Sequence, residues 1–241
     1  MRITIVGSGY IGLALAQHMQ AQGGVHLTLT TTSPGRLAEL EPHADQVLVA
    51  RADDPAALQA ALADAEAAVF CLAPTGDRQV DAAGYRSTYR DGMATLQALL
   101  PALPQLRQIV YTGSCSVYGD AGGGWVDETT LVAPADEHGQ ILLESEALLA
   151  DCRSSSRRVC VLRLGAIHGP GRELADRFED DVGVGRVHGF GDQLQLDPPR
   201  RRGGRRDSRR ATRLERGGES GGRSTLDRGG PAGRRTAGPR P

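Results

Sequence analysis

The sequence predicts an α/β protein built on a doubly wound parallel sheet. Three observations predict this fold: strand-like and helix-like segments alternate along the chain, a glycine-rich turn joins the first strand to the first helix, and the strand-like segments are short and apolar. Strands that helices cover on both faces read as apolar runs rather than as alternating patterns. The 241 residues, 39% of them hydrophobic, suffice for one sizeable core.

Each element is recognised by its apolar run or its helical spacing, in the order strand, helix, strand. The predicted strands are Arg2–Val6, Val25–Leu29, Gln46–Ala50, Ala67–Leu72, Ile109–Thr112 and Arg158–Leu164. The predicted helices cover the apolar positions from Ile11 to Met19, then Arg36–Leu40, Ala56–Ala65, Asp81–Leu100 and Ile141–Cys152. Prolines at 101 and 104 should stop the longest helix.

The turn after the first strand carries a G-x-G-x-x-G pattern over Val6–Gly12. The first glycine permits a tight turn, the second lets the backbone approach a pyrophosphate, and the third lets the helix pack on the strand. Because it opens a helix, this loop predicts a dinucleotide-binding Rossmann domain. The expected cofactor-binding residues are Gly7, Gly9, Tyr10, Ile11, Gly12, Thr31, Arg36, Asp53, Leu72, Ala73 and Pro74.

The end of the second strand favours NADP(H), while NAD(H) stays open. NAD-selective sites place a carboxylate there, whereas this chain has hydroxyl side chains over Thr30–Ser33. Arg36 would hold a 2′-phosphate, or it is a solvated residue in a first helical turn. Asp53 would accept a hydrogen bond from the adenine amino group, or it caps the helix before Pro55.

Three further segments resemble the extended short-chain dehydrogenase/reductase family, which includes NAD-dependent epimerases and dehydratases. These segments are Tyr111–Asp120, Trp125–Glu128 and Leu162–Arg172. The resemblance covers about residues 1–192. It implies an NAD(P)-dependent oxidoreductase or epimerase/dehydratase-like protein that exchanges hydride with a small-molecule substrate, a carbonyl compound or a sugar nucleotide. It also suggests a homodimer through the long helix.

The family's proton-transfer dyad is absent from this sequence. Ser114 matches the family's Ser or Thr, but His138 stands where the family has Tyr, and Leu142 stands where it has Lys. His138 is either a replacement acid/base or a surface residue in a loop, with the second interpretation favoured. Tyr118 would be a substitute phenol or would line the substrate pocket. The rival to an enzyme is a catalytically silent NADP(H)-binding or redox-sensing module.

Composition excludes other classes and singles out the C-terminal segment. The four cysteines lack CxxC spacing, so we expect no metal site. The sequence shows no leader and no long apolar run, so we expect a reduced, cytoplasmic protein without a membrane span. Fourteen of the 28 basic residues lie between Arg200 and Arg240. Residues 193–241 therefore predict a disordered Arg/Gly-rich tail, which would bind nucleic acid if it is genuine, or a substrate domain translated in a shifted reading frame.

Overall fold

The computed structural model describes residues 1–74 and 81–172, and the predicted tail and the domain boundary at 192/193 lie outside them. Six parallel strands form one sheet in the order β3-β2-β1-β4-β5-β6. The strands are β1 (Arg2–Val6), β2 (His26–Thr31), β3 (Gln46–Val49), β4 (Ala67–Phe70), β5 (Gln108–Ser114) and β6 (Arg158–Leu164).

Helical segments connect these strands. The α-helices are α1 (Tyr10–Gln22), α2 (Leu37–Leu40), α3 (Pro55–Leu62), α4 (Ala82–Tyr85), α5 (Gly92–Leu99) and α6 (Glu137–Asp151). Short 3-10 turns cover Pro34–Arg36, Glu41–His43, Leu100–Ala102 and Cys115–Tyr118.

Buried side chains cover both faces of the sheet, which confirms the predicted doubly wound fold. On one face, Leu58 of α3, Met93 of α5 and Leu149 of α6 pack with residues of β4 and β5. On the other face, Ala16 of α1 and Leu40 of α2 pack with residues of β1 and β2. Burying a sheet on both faces removes its apolar side chains from water.

The strand order reverses beside β1, which pairs with β2 on one side and with β4 on the other. In parallel sheets such a switch point opens a crevice at the carboxyl ends of the strands. The glycine-rich loop after β1 lies at this point. Among the described helices, none has the length and apolar character that a membrane span requires.

The predicted long helix is interrupted by a π-helical turn. Its α4 and α5 segments flank a π-helix over Arg86–Asp91. Such turns widen a helix by one residue and occur often at functional sites. The sequence pattern did not indicate this turn, because its residues have ordinary helix propensities.

Helix α6 begins four residues earlier than predicted. The carboxylate of Asp136 accepts a hydrogen bond from the backbone N–H of Gly139 at 2.8 Å and thereby caps the first turn. His138 consequently lies in the first turn of a helix, half-buried, and the interpretation of this residue as part of a loop is wrong.

Candidate functional site

Two adjoining cavities lie at the carboxyl edge of the sheet. The first, of about 320 Å³, lies over the ends of β1, β2 and β3, and the second, of about 520 Å³, lies over the ends of β4, β5 and β6. They share Gly9 and the segment Cys71–Ala73. The two cavities therefore form one continuous cleft across the switch point, and different side chains line its two ends.

Of the residues expected to bind cofactor, all but Gly12 line this cleft. Gly7, Gly9, Thr31, Arg36, Asp53, Leu72, Ala73 and Pro74 line the first cavity. Gly9, Tyr10, Ile11, Leu72 and Ala73 line the second. Gly12 is buried in α1.

The three glycines of the loop differ in what surrounds them. Gly7 has a φ of +96°, and a Cβ there would lie 2.5 Å from the carbonyl oxygen of Cys71. A Cβ on Gly12 would overlap the carbonyl oxygen of Gly7, whereas a Cβ on Gly9 would meet nothing within 4 Å. The geometry matches the roles that the sequence predicted: a turn at Gly7, helix packing at Gly12, and an open approach at Gly9.

Ser8, in the same loop, carries a buried hydroxyl. The residue is 2% exposed and lines the first cavity, and its Oγ has no hydrogen-bond partner among the described residues. Its backbone N–H donates to the Thr30 carbonyl oxygen at 2.9 Å. Because a buried hydroxyl without a partner costs free energy, this atom fits a ligand oxygen bound against the loop.

Arg36 reaches from the turn after β2 to the glycine-rich loop. Its Nη1 donates to the carbonyl oxygen of Ser8 at 2.7 Å, and its Nε and Nη2 donate to the two carboxylate oxygens of Glu39 at 2.9 and 2.6 Å. The carboxylate raises the pKa of the Arg36 guanidinium and is itself held at a lowered pKa by it. These contacts hold the Arg36 side chain at the wall of the first cavity. Its role in binding a 2′-phosphate stays a prediction.

Asp53 does not cap α3. The cap is the neighbouring Asp54, whose Oδ1 accepts from the backbone N–H groups of Ala56 and Ala57. Asp53 instead accepts two hydrogen bonds, both 2.8 Å long, from the Arg51 guanidinium. Arg51 also lines the first cavity. Sequence analysis missed it, although a basic residue that closely follows a parallel strand signals a place at the binding edge.

The second cavity brings together Ser114, His138 and Leu142, which sequence comparison with the family had placed in catalytic positions. Ser114 Oγ accepts a hydrogen bond from the Ser116 backbone N–H at 3.2 Å, which leaves its own proton to donate elsewhere. Leu142 is 5% exposed and packs in an apolar cluster with Val117. No charged side chain occupies the position of the family's lysine.

Two tyrosines that the sequence left unassigned to the site also line the second cavity. The rings of Tyr85 and His138 are tilted, with centroids 4.2 Å apart, and the rings of Tyr85 and Tyr89 have centroids 5.2 Å apart. Burial raises the pKa of the Tyr89 phenol, so this side chain stays neutral. Tyr89 lies in the π-helical turn, and Tyr85 is the last residue of α4 before it. No sequence pattern indicated that these rings line the cleft.

Tyr118 lies outside the second cavity. Its hydroxyl donates to the carbonyl oxygen of Asp127 at 2.8 Å, and the Arg163 guanidinium carbon lies 4.8 Å from its ring centroid. Arg163 in turn forms a bidentate ion pair with Glu146, with a shortest N···O distance of 2.7 Å. Tyr118 therefore packs where α6 meets β6, with its hydroxyl engaged by Asp127.

Cys71 forms the floor at the point where the two cavities meet. Burial raises the pKa of its thiol to about 11, so it stays a neutral thiol near pH 7. No cluster of metal-ligating side chains occurs within residues 1–74 and 81–172. Besides hydroxyls and guanidinium groups, the polar groups that line the cleft include the carboxylates of Asp53 and Asp136 and the imidazole of His138.

The chain is similar to proteins of known sequence and structure. It is 32% identical to the protein YeeZ of Escherichia coli K12 over 197 residues, which cover 78% of this chain and 66% of YeeZ. It superposes on UDP-glucuronic acid 4-epimerase from Bacillus cereus, solved in complex with NAD, with a TM-score of 0.58 and 21% identity. This superposition covers 70% of this chain and 58% of the epimerase. It also superposes on dTDP-glucose 4,6-dehydratase from Bacillus anthracis, solved in complex with NAD, with a TM-score of 0.59 and 19% identity. This superposition covers 73% of this chain and 58% of the dehydratase.

These matches span between half and two thirds of the relatives' own lengths. The two structural similarities establish the fold. A family model, the NAD-dependent epimerase/dehydratase family, matches residues 3–183, which is most of the chain. The chain therefore belongs to the NAD-dependent epimerase/dehydratase family.

Proposed function

We propose that the protein binds NADP(H) in the cleft and exchanges hydride with a carbonyl or sugar-nucleotide substrate. The observation that carries the proposal is the buried Ser8 hydroxyl without a partner, in a glycine-rich loop whose Gly9 faces open space. A pyrophosphate seated at the N-terminus of α1 would accept from that hydroxyl and from free backbone N–H groups. When bound, the cofactor supplies hydride exchange at its nicotinamide, and the chain supplies orientation and proton transfer.

The first cavity fits the adenosine end of NADP(H). Hydroxyls of Thr31, Thr32 and Ser33 line it, together with the Arg36 guanidinium. Charge-assisted hydrogen bonds from arginine favour a phosphate over the neutral ribose hydroxyl of NAD(H). The similar solved structures contain NAD, so the preference for NADP(H) over NAD(H) is tested by measuring both affinities.

Replacing Arg36 by glutamine is expected to weaken NADPH binding about tenfold or more and NADH binding much less. A charge-assisted hydrogen bond contributes about 1.5–3 kcal/mol, and a tenfold change in affinity corresponds to about 1.4 kcal/mol. Titration of cofactor fluorescence gives both dissociation constants. A wild-type protein that binds NADH as tightly as NADPH, or a variant that loses both equally, would contradict the NADP(H) preference.

The second cavity fits the nicotinamide and the reacting part of the substrate. Ser114 would donate its proton to the substrate oxygen, and His138 would serve as acid or base through its ring nitrogens. Tyr118 is the weaker candidate for this role, because its hydroxyl is hydrogen-bonded to Asp127 outside the cavity. The substrate itself is a small molecule.

Substitution of Ser114 by alanine is expected to lower kcat about 100-fold and to leave the NADPH dissociation constant unchanged. The expectation follows because positioned proton donors contribute about 10²–10⁴ to rate, while Ser114 lies at the substrate end of the cleft. Turnover is measured across a panel of carbonyl compounds and sugar nucleotides. The conservative Ser114→Thr variant, which keeps a hydroxyl, should retain most of the activity.

A second candidate is a catalytically silent NADP(H)-binding or redox-sensing module. Buried Leu142 favours it, because an apolar side chain cannot lower the pKa of a neighbouring acid as a lysine would. Stoichiometric NADPH binding without turnover on the whole panel would support this candidate. Turnover that Ser114→Ala abolishes would exclude it.

A further inference from the structure

The first cavity contains a second arginine, Arg51, at the carboxyl end of β3. The strand register places it, because Val49 pairs with Thr31 and the backbone N–H of Ala50 donates to the Thr31 carbonyl oxygen at 2.9 Å. The next residue therefore emerges beside the hydroxyl-bearing end of β2. Arg51 and Arg36 thus enter one cavity from two different strand ends.

Asp53 fixes the orientation of Arg51. Its two carboxylate oxygens accept from Nε and Nη2, both at 2.8 Å, and this pairing raises the pKa of the Arg51 guanidinium. A guanidinium has five N–H donors, and no described residue accepts from Nη1 of Arg51. The side chain of Asp53 is 23% exposed and that of Arg51 is 50% exposed. A carboxylate thus holds one edge of the guanidinium while the other edge keeps free donors.

The charges of the first cavity favour an anionic ligand group. Its charged lining residues, among those the structure describes, are Arg36, Arg51 and Asp53. The carboxylate of Asp53 is engaged with Arg51, and Glu39 is engaged with Arg36. Two oriented guanidinium groups therefore share a cavity with the hydroxyls of β2, a set of donors that suits the three oxygens of a phosphate.

We infer that Arg51, positioned by Asp53, binds the 2′-phosphate of NADP(H) together with Arg36. This inference rests on the proposed NADP(H) binding and assigns a different role to Asp53, which holds Arg51 instead of accepting from the adenine amino group. The specificity of the cleft is then set at two strand ends, and Arg51 is a specificity-determining residue.

The test uses the full chain and two pairs of ligands that differ by the 2′-phosphate: NADPH with NADH, and adenosine 2′,5′-bisphosphate with AMP. Arg51→Gln is expected to weaken binding of NADPH and the bisphosphate about tenfold and to change binding of NADH and AMP less than about twofold. Asp53→Asn should weaken the phosphorylated ligands a few-fold, because an amide oxygen holds the guanidinium less firmly than a carboxylate.

Arg2→Gln provides a matched control. It removes the same charge from a side chain that is 54% exposed at the opposite edge of the sheet, and it should change neither ligand pair. If Arg51→Gln does not fold, as judged by circular dichroism, Arg51→Lys replaces it. That variant keeps the charge but loses the planar set of donors, and a several-fold weakening confined to the phosphorylated ligands is expected.

The outcomes separate this inference from the proposed function. A wild-type protein that prefers the 2′-phosphorylated ligands, with an Arg51→Gln variant that keeps the preference, overturns the role of Arg51 alone. Equal weakening of both members of a pair by Arg51→Gln overturns it too, because the residue would then support the cavity generally. A wild-type protein without any preference contradicts the NADP(H) proposal itself.

Discussion

Gly12→Ala is expected to lower NADPH affinity at least about 100-fold and the free energy of unfolding by about 3 kcal/mol. Its Cβ would overlap the carbonyl oxygen of Gly7, so either α1 moves away from β1 or the loop changes shape. Both changes displace the N-terminus of α1, where the pyrophosphate would be bound. Fluorescence titration gives the affinity, and urea denaturation gives the stability.

Gly9→Ala separates binding from folding at the same loop. Its added methyl group would meet nothing within 4 Å, and the residue has a φ of −76°, which alanine adopts without strain. Stability should therefore change by less than about 0.5 kcal/mol. NADPH affinity should still fall about tenfold or more, because the methyl group occupies the space through which pyrophosphate approaches the backbone. A Gly9→Ala variant with unchanged affinity would show that the cofactor is not bound against this loop.

Glu146→Ala is expected to lower the free energy of unfolding by about 3 kcal/mol. Glu146 is 8% exposed and holds Arg163 in a bidentate pair that joins α6 to β6. Removing the carboxylate leaves a guanidinium that is 23% exposed without its partner, which costs more than the pair contributes. Urea unfolding of the variant and the wild-type protein provides the measurement.

The double variant Glu146→Leu/Arg163→Met should recover most of this loss, since it removes both charges together. Asp64→Ala is the matched control, because Asp64 pairs with Arg2 with its side chain 80% exposed, and such pairs contribute about 0–1 kcal/mol. If Glu146→Ala were no more destabilising than Asp64→Ala, the pair would be a solvated contact rather than a structural link between α6 and β6.

The glycine-rich loop was predictable in detail because its constraints are local. Glycine is required at Gly7 for a turn with positive φ, at Gly12 for a close helix–strand contact, and at Gly9 for an open approach to the backbone. The spacing of the three glycines was therefore enough to predict their roles. The alternation of apolar runs likewise predicted the sheet, since burial on both faces leaves the same pattern wherever the strands lie. Strand β2 was predicted to end at Leu29 but continues to Thr31, because pairing with Val49 extends it.

The positions of polar side chains were less predictable. Arg36 was recognised because it follows β2 closely, but Arg51 was not. The place of Arg51 in the first cavity depends on the strand register, which pairs Val49 with Thr31. Tyr85 and Tyr89 stand four residues apart, a spacing that indicates only a shared face of the helix. The direction in which this helix face points depends on the π-helical turn and on the position of His138 in the first turn of α6.

The sequence by itself determined the parallel sheet, the loop that fits a dinucleotide, and the absence of the family's tyrosine and lysine. Each of these follows from residues near one another in the chain or from residue identity alone. Only the tertiary structure decided that Asp53 holds Arg51, that Tyr118 lies outside the second cavity, and that Tyr85 contacts His138. Hydrogen bonds and ring contacts depend on rotamers and on strand register, and these are fixed only when the elements pack against one another.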